Sequence, residues 1–281
     1  MSSGPLKVLS LGAGVQSSVV LLMSCLGVLP KLDAAIFADT HWEPADVYSH
    51  LTWLEQQAEL AGIPVHRVSA GDLRKHAIEG RKKKTKEGTH FVSLPIFTVA
   101  ADGSRGIVTQ RQCTRDYKIR PIQRKVRELL GLRKGQRWPG TGVVEQWFGI
   151  SADEAGRVRI SRERGISNRY PLVYELGMSR ADCLAWAARN YPGRPFPRSA
   201  CIGCPFHQND EWQRIKADPA AWADAVDADR KVRREARGHR TSTGYLHFSF
   251  TPLEEADLTF KPKAPESLSL WRHECMGLCG V

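Results

Sequence analysis

Apolar residues in this chain fall into short unbroken runs separated by stretches of helical periodicity. Lys7-Val8-Leu9-Ser10-Leu11 reads as a short buried strand and Ser17 to Leu26 as a helix, while Ala34 to Thr40 is a second buried strand followed by a helix from about Ala45 to Ala61. Val144 to Phe148 is a further strand that runs into Gly149. Alternation of such runs with helical patterns up to about residue 150 predicts an α/β fold: a mainly parallel, doubly wound sheet with helices on both faces. Ala181 to Ala188 continues as helix, Asn190 to Arg198 with its three prolines reads as a linker that presents Cys201, and Trp212 to Arg237 reads as one or two charged helices broken near Pro219. The expected division is an α/β domain over residues 1–190 and a helical, cysteine-bearing segment over 191–281. No internal repeat is visible.

The turn between the first strand and the first helix is Ser10-Leu11-Gly12-Ala13-Gly14-Val15-Gln16-Ser17-Ser18. Glycines there let backbone approach a ligand without a Cβ clash, and the free N–H groups of a helix start favour phosphate. The spacing is neither the dinucleotide fingerprint Gly-x-Gly-x-x-Gly nor a Walker A loop, which disfavours those two nucleotide classes. A helix-capping turn without a ligand is the plain alternative. At the end of the second strand stand Asp39 and Thr40, followed by His41, Trp42 and Glu43. A carboxylate leaving the carboxyl end of a parallel strand sits at the crevice where open α/β sheets bind ligands, although Asp39 can equally act as a strand-end cap.

Cysteines add a second chemistry. Five of the seven fall in motif-like settings: Cys113, the Cys-x-x-Cys pair Cys201 and Cys204, and the tail pair Cys275 and Cys279. Four thiolates suit tetrahedral zinc as well as an iron–sulfur cluster. Cys25 and Cys183 lie in apolar helical patterns and read as core. The odd cysteine count, without a secretory signal, points to a reducing compartment.

The glycine-serine turn resembles the Ser-Gly-Gly-x-Asp-Ser loop of the PP-loop ATPases, with Gly12, Ala13, Gly14, Gln16 and Ser17 at the motif positions, Gly12 where serine is usual and Gln16 where aspartate is usual. Asp39-Thr40-x-x-Glu43 resembles the stretch after the second strand in the phosphoadenylyl sulfate (PAPS) reductase branch. Cys113-Thr114-Arg115-Asp116-Tyr117-Lys118-Ile119-Arg120-Pro121 is similar to the Cys-Cys-x-x-x-Lys-x-x-Pro segment of iron–sulfur adenylyl sulfate reductases, with Thr114 in place of the second cysteine. Glu274-Cys275 followed by glycine and leucine looks like the ending that bears the catalytic cysteine of PAPS reductases, with one residue inserted and Cys279 added.

The resemblance implies an adenine-nucleotide site at Ser10, Gly12, Ala13, Gly14, Gln16, Ser17, Ser18, Asp39 and Gly149. Arg157 is its implied phosphate or sulfate contact, and Asp153 or Glu154 its groups for a metal ion such as Mg2+ or for ribose. It implies catalytic roles for Cys275, Asp39 and Lys118. It implies a [4Fe–4S] cluster on Cys113, Cys201, Cys204 and Cys279, with zinc as the alternative. The tail is open to other assignments: Cys275 and Cys279 can exchange roles or form a redox dithiol. Two reactions follow as expectations. One is ATP-dependent, adenylating sulfur transfer to a nucleic acid; the other is reduction of PAPS or adenylyl sulfate through Cys275. A non-catalytic nucleotide or redox sensor is a third reading, which Gln16 keeps open.

Composition bounds these readings. With 281 residues and 42% hydrophobic content the chain can bury a full core, and no apolar stretch is long enough to span a bilayer, so a cytoplasmic, membrane-free protein is expected. The net charge of +11, from 41 basic against 30 acidic residues, suits anionic partners. The expected partners are an adenine nucleotide, a tRNA or DNA acceptor, a sulfur donor or thiol reductant, and a second copy in a homodimer. The densest basic run is Arg81 to Lys86, which reads as a mobile loop, and Arg230, Lys231, Arg233, Arg234 and Arg237 form a second cluster.

Overall fold

The computed structural model describes residues 4–82, 89–108, 110–234 and 242–259. In chain order, β1 (Leu6–Leu11) leads into α1 (Val15–Cys25), then β2 (Ala34–Asp39), α2 (Ala45–Leu60), β3 (Val65–Ser69) and α3 (Leu73–Ile78). Two short strands β4 (Arg81–Lys82) and β5 (Thr89–His90) pair with each other, and β6 (Ile96–Ala100) and β7 (Arg105–Val108) form a hairpin. A nearly continuous helical stretch follows, from α4 (Gln112–Thr114) through a π-turn (Arg115–Ile119) into α5 (Arg120–Leu129). The chain then returns as β8 (Val144–Phe148), a 3-10 turn (Ala152–Arg157), β9 (Ile166–Arg169), α6 (Pro171–Tyr174) and α7 (Arg180–Asn190). It closes with α8 (Asn209–Lys216), α9 (Pro219–Arg234) and β10 (Ser242–Tyr245).

The central sheet has the order β3-β2-β1-β8-β9, and every pairing is parallel. Alternate residues of its strands supply two different cores. Leu9, Leu11, Ala35, Phe37 and Trp147 pack with α1, α2 and α7, whereas Val8, Ile36, Ala38 and Val144 pack with Ile122 and Val126 of α5 on the other face. At the inner strands β1 and β2 both faces are therefore dry, which explains why these two read as apolar runs, while the edge strands β3 and β9 are partly exposed and polar. The α/β expectation holds, with helices on both sides.

Several elements differ from the sequence reading, which named neither the edge strands β3 and β9 nor the helices α3, α5 and α6. Helix α1 starts at Val15 rather than Ser17, because Gly14 is already extended (φ −94°, ψ 177°) and its carbonyl accepts the Ser18 N–H. A three-stranded antiparallel sheet, β10-β6-β7, interrupts the strand-helix alternation between residues 96 and 108. A third core unites Trp42 and Leu73 with Cys201, Trp212, Ala225, Leu246 and Leu253, so segments from both ends of the described chain share one apolar cluster. Cys183 is fully buried in the α1 core and Cys25 is half-buried against it, as core residues should be.

Candidate nucleotide loop and cysteine pocket

From β1 the chain winds outward in both directions, to β2 and β3 on one side and to β8 and β9 on the other. The carboxyl ends of β1 and β8 thus flank the switch point where open α/β sheets place a ligand crevice. Ser10 pairs with Phe148 across those two strands, and Gln146 donates from Nε2 to Ser10 Oγ at 2.7 Å. The turn that follows β1 is compact. Ala13 has φ of +55°, a left-handed conformation that exposes successive N–H groups, and the Gly12 N–H donates to Ser17 Oγ at 3.2 Å. Gly149, the residue after β8, backs onto this turn so closely that a Cβ there would lie 2.4 Å from Ser17 N and 2.8 Å from the Gln16 carbonyl carbon.

Gln16 is held from both ends of its amide. Its Nε2 donates to Ser151 Oγ at 3.4 Å and to Glu154 Oε2 at 3.3 Å, and its Oε1 accepts from Arg180 Nη1 at 3.0 Å. Glu154 and Arg157, each 4% exposed, form an ion pair of 2.8 Å. Burial pushes the Glu154 carboxyl above its ordinary range despite Arg157. Glu154 Oε1 and Arg157 Nε and Nη2 are buried without a hydrogen-bond partner, which leaves donors and an acceptor for a ligand or water. The arginine expected to meet an anion is therefore buried and already committed to a carboxylate through Nη1, with its other nitrogens unspent. Asp153 instead accepts the Arg180 backbone N–H at 3.0 Å and so caps the start of α7. Ser18, fully buried, bonds His50 Nε2 at 3.0 Å and faces the core.

At the end of β2, Asp39 Oδ1 accepts from the His41 N–H at 2.7 Å and from Tyr48 Oη at 2.8 Å, so it caps the strand end. The residues just beyond it build a second site. Glu43, 4% exposed, accepts at Oε1 from Lys118 Nζ at 3.5 Å, from Thr40 Oγ1 at 3.4 Å and from the Cys201 thiol at 3.4 Å. Its Oε2 accepts from Ser199 Oγ at 3.5 Å. The turn that carries the Cys-x-x-Cys pair hangs on the same loop: the Ile202 N–H donates to the Trp42 carbonyl at 2.8 Å, and a Cβ on Gly203 would collide with the Trp42 ring at 2.3 Å. Beneath the turn, His207 Nε2 bonds the Cys201 carbonyl at 2.9 Å. A carbonyl can only accept, so Nε2 carries the proton, and burial holds this imidazole neutral with its pKa lowered to about 3.

Cys113, Cys201 and Cys204 line one pocket together with Trp42, Thr114, Lys118, Ser199 and Phe206. Sequence positions 113, 201 and 204 thus meet although no element joins them directly. Burial, reinforced by the Glu43 carboxylate, holds the Cys201 thiol well above its usual range, so it is a neutral thiol here. Among the described residues no three His, Cys, Asp or Glu side chains converge tightly enough to grip a metal ion. An all-thiol donor set on one pocket is the right chemistry for zinc or an iron–sulfur centre, with a fourth ligand to come from outside these three. Cys275 and Cys279, assigned to catalysis and ligation, lie outside the described residues.

The two sites touch. A Cβ on Gly14 would meet Ser199 N at 3.3 Å and Ser199 Cβ at 3.4 Å, so the strand of chain leading to Cys201 lies directly over the glycine-serine turn. Glu43 was visible as part of the Asp39-Thr40-x-x-Glu43 stretch, but its place under the cysteine turn was not. Ser199 and Arg180 carried no sequence signal, since each lies in a segment without a motif.

No helix among the described residues is long and apolar enough to cross a membrane. No protein-family model matches the chain, and no curated protein matches it. Among solved structures the chain is similar to the phosphoadenylyl-sulfate (PAPS) reductase from Candida auris, determined as a phosphate complex, with 14% sequence identity and a TM-score of 0.38 over 69% of this chain and 76% of that chain.

Proposed function

We propose that the protein is a nucleotide-dependent sulfur transferase in which ATP bound at the Ser10–Ser18 turn activates a nucleic-acid or nucleoside acceptor next to the cysteine pocket. The observation that carries this reading is the contact between Gly14 and the backbone of Ser199, which sets a phosphate-type turn against a thiol-lined pocket. A nucleotide reacting at one would be within reach of sulfur held at the other.

In this scheme the backbone N–H groups around Ala13 and Gly14 cradle the phosphates, and Gly149 keeps the turn open to them. Arg157 offers its two unspent nitrogens to an anionic oxygen, and Lys118 supplies a positive charge beside the pocket. An acceptor oxygen attacks the α-phosphorus and pyrophosphate leaves; a sulfur nucleophile then displaces AMP from the activated carbon. Cys113, Cys201 and Cys204 would hold a [4Fe–4S] cluster or zinc, with Cys279 as the fourth candidate. When bound, a three-cysteine cluster supplies an iron position that can carry the sulfur. Mg2+ accompanying the nucleotide would take Glu154, whose Oε1 is unspent, or Asp153 as its carboxylate.

The Glu274-Cys275 ending favours a second reading, reduction of PAPS or adenylyl sulfate with Cys275 attacking the sulfonyl sulfur. Calorimetric titration of anaerobically prepared protein with ATP and with PAPS separates the two. Tighter ATP supports sulfur transfer, tighter PAPS supports the reductase, and binding of neither overturns both. In the same preparation Cys201→Ser is expected to abolish bound iron or zinc by elemental analysis; metal content unchanged in that variant removes the assignment of the pocket.

A further inference from the structure

Residues 111–141 hold ten Lys and Arg against two Asp and Glu, and so account for eight of the eleven net positive charges of the whole chain. The Arg81 to Lys86 run lies largely outside the described residues, and the cluster at Arg230, Lys231 and Arg233 is quieter in the structure than in the sequence. Arg230 and Arg233 both pair with Glu254, Arg233 also with Asp229, and Lys231 with Asp227. The 111–141 segment has no such balance. Asp116 takes Arg115 and Arg120, Glu128 takes Lys125, and Arg127 stacks over Trp138 while donating to the carbonyls of Arg133 and Gln136. Arg124, Arg133, Lys134 and Arg137 are exposed and have no ion pair among the described residues.

The first part of the segment also runs along one line. Gln112 to Leu129 is helical throughout, a length of about 27 Å, or roughly the axial span of eight phosphates of one B-form strand. Pro121, Ile122 and Val126 face the sheet, while Arg120, Arg124 and Arg127, spaced four and three apart, share the outer side. Its amino end is the pocket itself, because Arg111, Cys113, Thr114 and Lys118 are pocket-lining residues. Trp42 and Phe206 give that pocket aromatic walls. A basic ridge that runs into an aromatic-walled, thiol-bearing pocket fits a chain of phosphates carrying an unstacked base.

We infer that the 111–141 ridge binds the backbone of a single-stranded or looped nucleic acid and feeds one of its bases to the cysteine pocket. This rests on the sulfur-transfer reading for what happens in the pocket, while the binding itself is independent of it. Unbalanced exposed cations release counterions from phosphates, so the affinity is strongly salt-dependent.

The test is fluorescence anisotropy of the full chain with a labelled single-stranded RNA of about 20 nucleotides, titrated at salt from about 50 to 200 mM. The variant Arg124→Gln/Arg133→Gln/Arg137→Gln is expected to bind about tenfold or more weakly and to lower the salt slope by about 2. Arg133→Gln/Lys134→Gln/Arg137→Gln changes only the exposed loop after α5 and gives the same direction without touching the helix. A control with the same charge loss outside residues 111–141, Lys31→Gln/Arg189→Gln/Lys216→Gln, is expected to bind as wild type. Equal weakening in test and control variants overturns the ridge, since only net charge would then matter. Failure of wild type to bind RNA or single-stranded DNA overturns it, as does tighter binding of anionic phospholipid vesicles than of RNA. ATP calorimetry on the same samples separates the two ideas. RNA binding without ATP binding leaves the ridge and removes sulfur transfer, whereas ATP binding without RNA binding does the reverse.

Discussion

Gln16 and Glu154, 138 residues apart in the chain, are joined side chain to side chain by a buried hydrogen bond of 3.3 Å from Nε2 to Oε2. The neutral amide at position 16 is what this geometry requires, because it accepts from Arg180 on one side and donates to a carboxylate on the other. Gln16→Glu keeps the bond to Arg180 but turns the donor into an oxygen facing Glu154. We expect a loss of about 1–3 kcal/mol, larger at pH 8 than at pH 5, since protonation of either carboxyl relieves the repulsion. Adding Glu154→Gln should restore most of it. Urea denaturation of both variants at the two pH values checks this; a single variant as stable as wild type at pH 8 removes the account of why glutamine stands here.

Gly149→Ala places a methyl group 2.4 Å from the Ser17 nitrogen, and backbone cannot step aside as a side chain can. The turn must shift, at a cost of about 1–3 kcal/mol, and ATP affinity should fall about tenfold or more through loss of preorganisation. Gly156→Ala, exposed with nothing within 4 Å of its Cβ, is the matched control and should change neither quantity. Thermal melts and calorimetry on the pair are decisive.

Lys118→Met leaves the Glu43 carboxylate buried without its lysine. The expected destabilisation is about 3–5 kcal/mol, reduced by the Thr40, Ser199 and Cys201 bonds that remain. The double variant Lys118→Met/Glu43→Gln should recover at least half of the loss. No recovery would mean that the pair is not energetically coupled.

Acid should unfold the protein through its buried histidines. Burial lowers the pKa of His50 and of His247 to about 4 from 6.5. Between those values the unfolded chain binds protons that the native state does not, so stability falls as pH drops through the window and is fully present above it. His50→Gln/His247→Gln should flatten that dependence by about two protons. Denaturant midpoints measured from pH 7 to pH 4 give the slope, and an unchanged slope contradicts the assignment.

The parallel sheet was legible because dry strands have no reason to alternate: Val8, Leu9, Ile36 and Phe37 announce themselves as runs. The shape of the turn after β1 was legible for a local reason also, since glycine at 12, 14 and 149 is a backbone signal. What the sequence hid is the assembly of side chains across long separations. Nothing in the order of residues says that Glu43 lies beneath Cys201, that Arg180 reaches Gln16, or that Ser199 covers Gly14. The hairpin of β6 and β7 was missed because its partner β10 arrives some 140 residues later, and a short amphipathic strand is defined by what it pairs with. The cluster at Arg230, Lys231 and Arg233 misled for a related reason, because charge density along a chain says nothing of the acids that fold against it.

The hydrogen bond from the Ile202 N–H to the Trp42 carbonyl, with the Thr40 to Cys201 contact 161 residues apart beside it, ties the thiol turn to the loop after the second strand. The central sheet is complete by Arg169, whereas the thiol turn is synthesised after it, so the sheet and its glycine turn can be formed on a growing chain while the pocket is still unmade. Nascent chains would therefore pass through a stage with a finished glycine turn and no cysteine pocket. The glycine turn and the cysteine pocket are separated in the maturation of the molecule even though they lie side by side in its finished form.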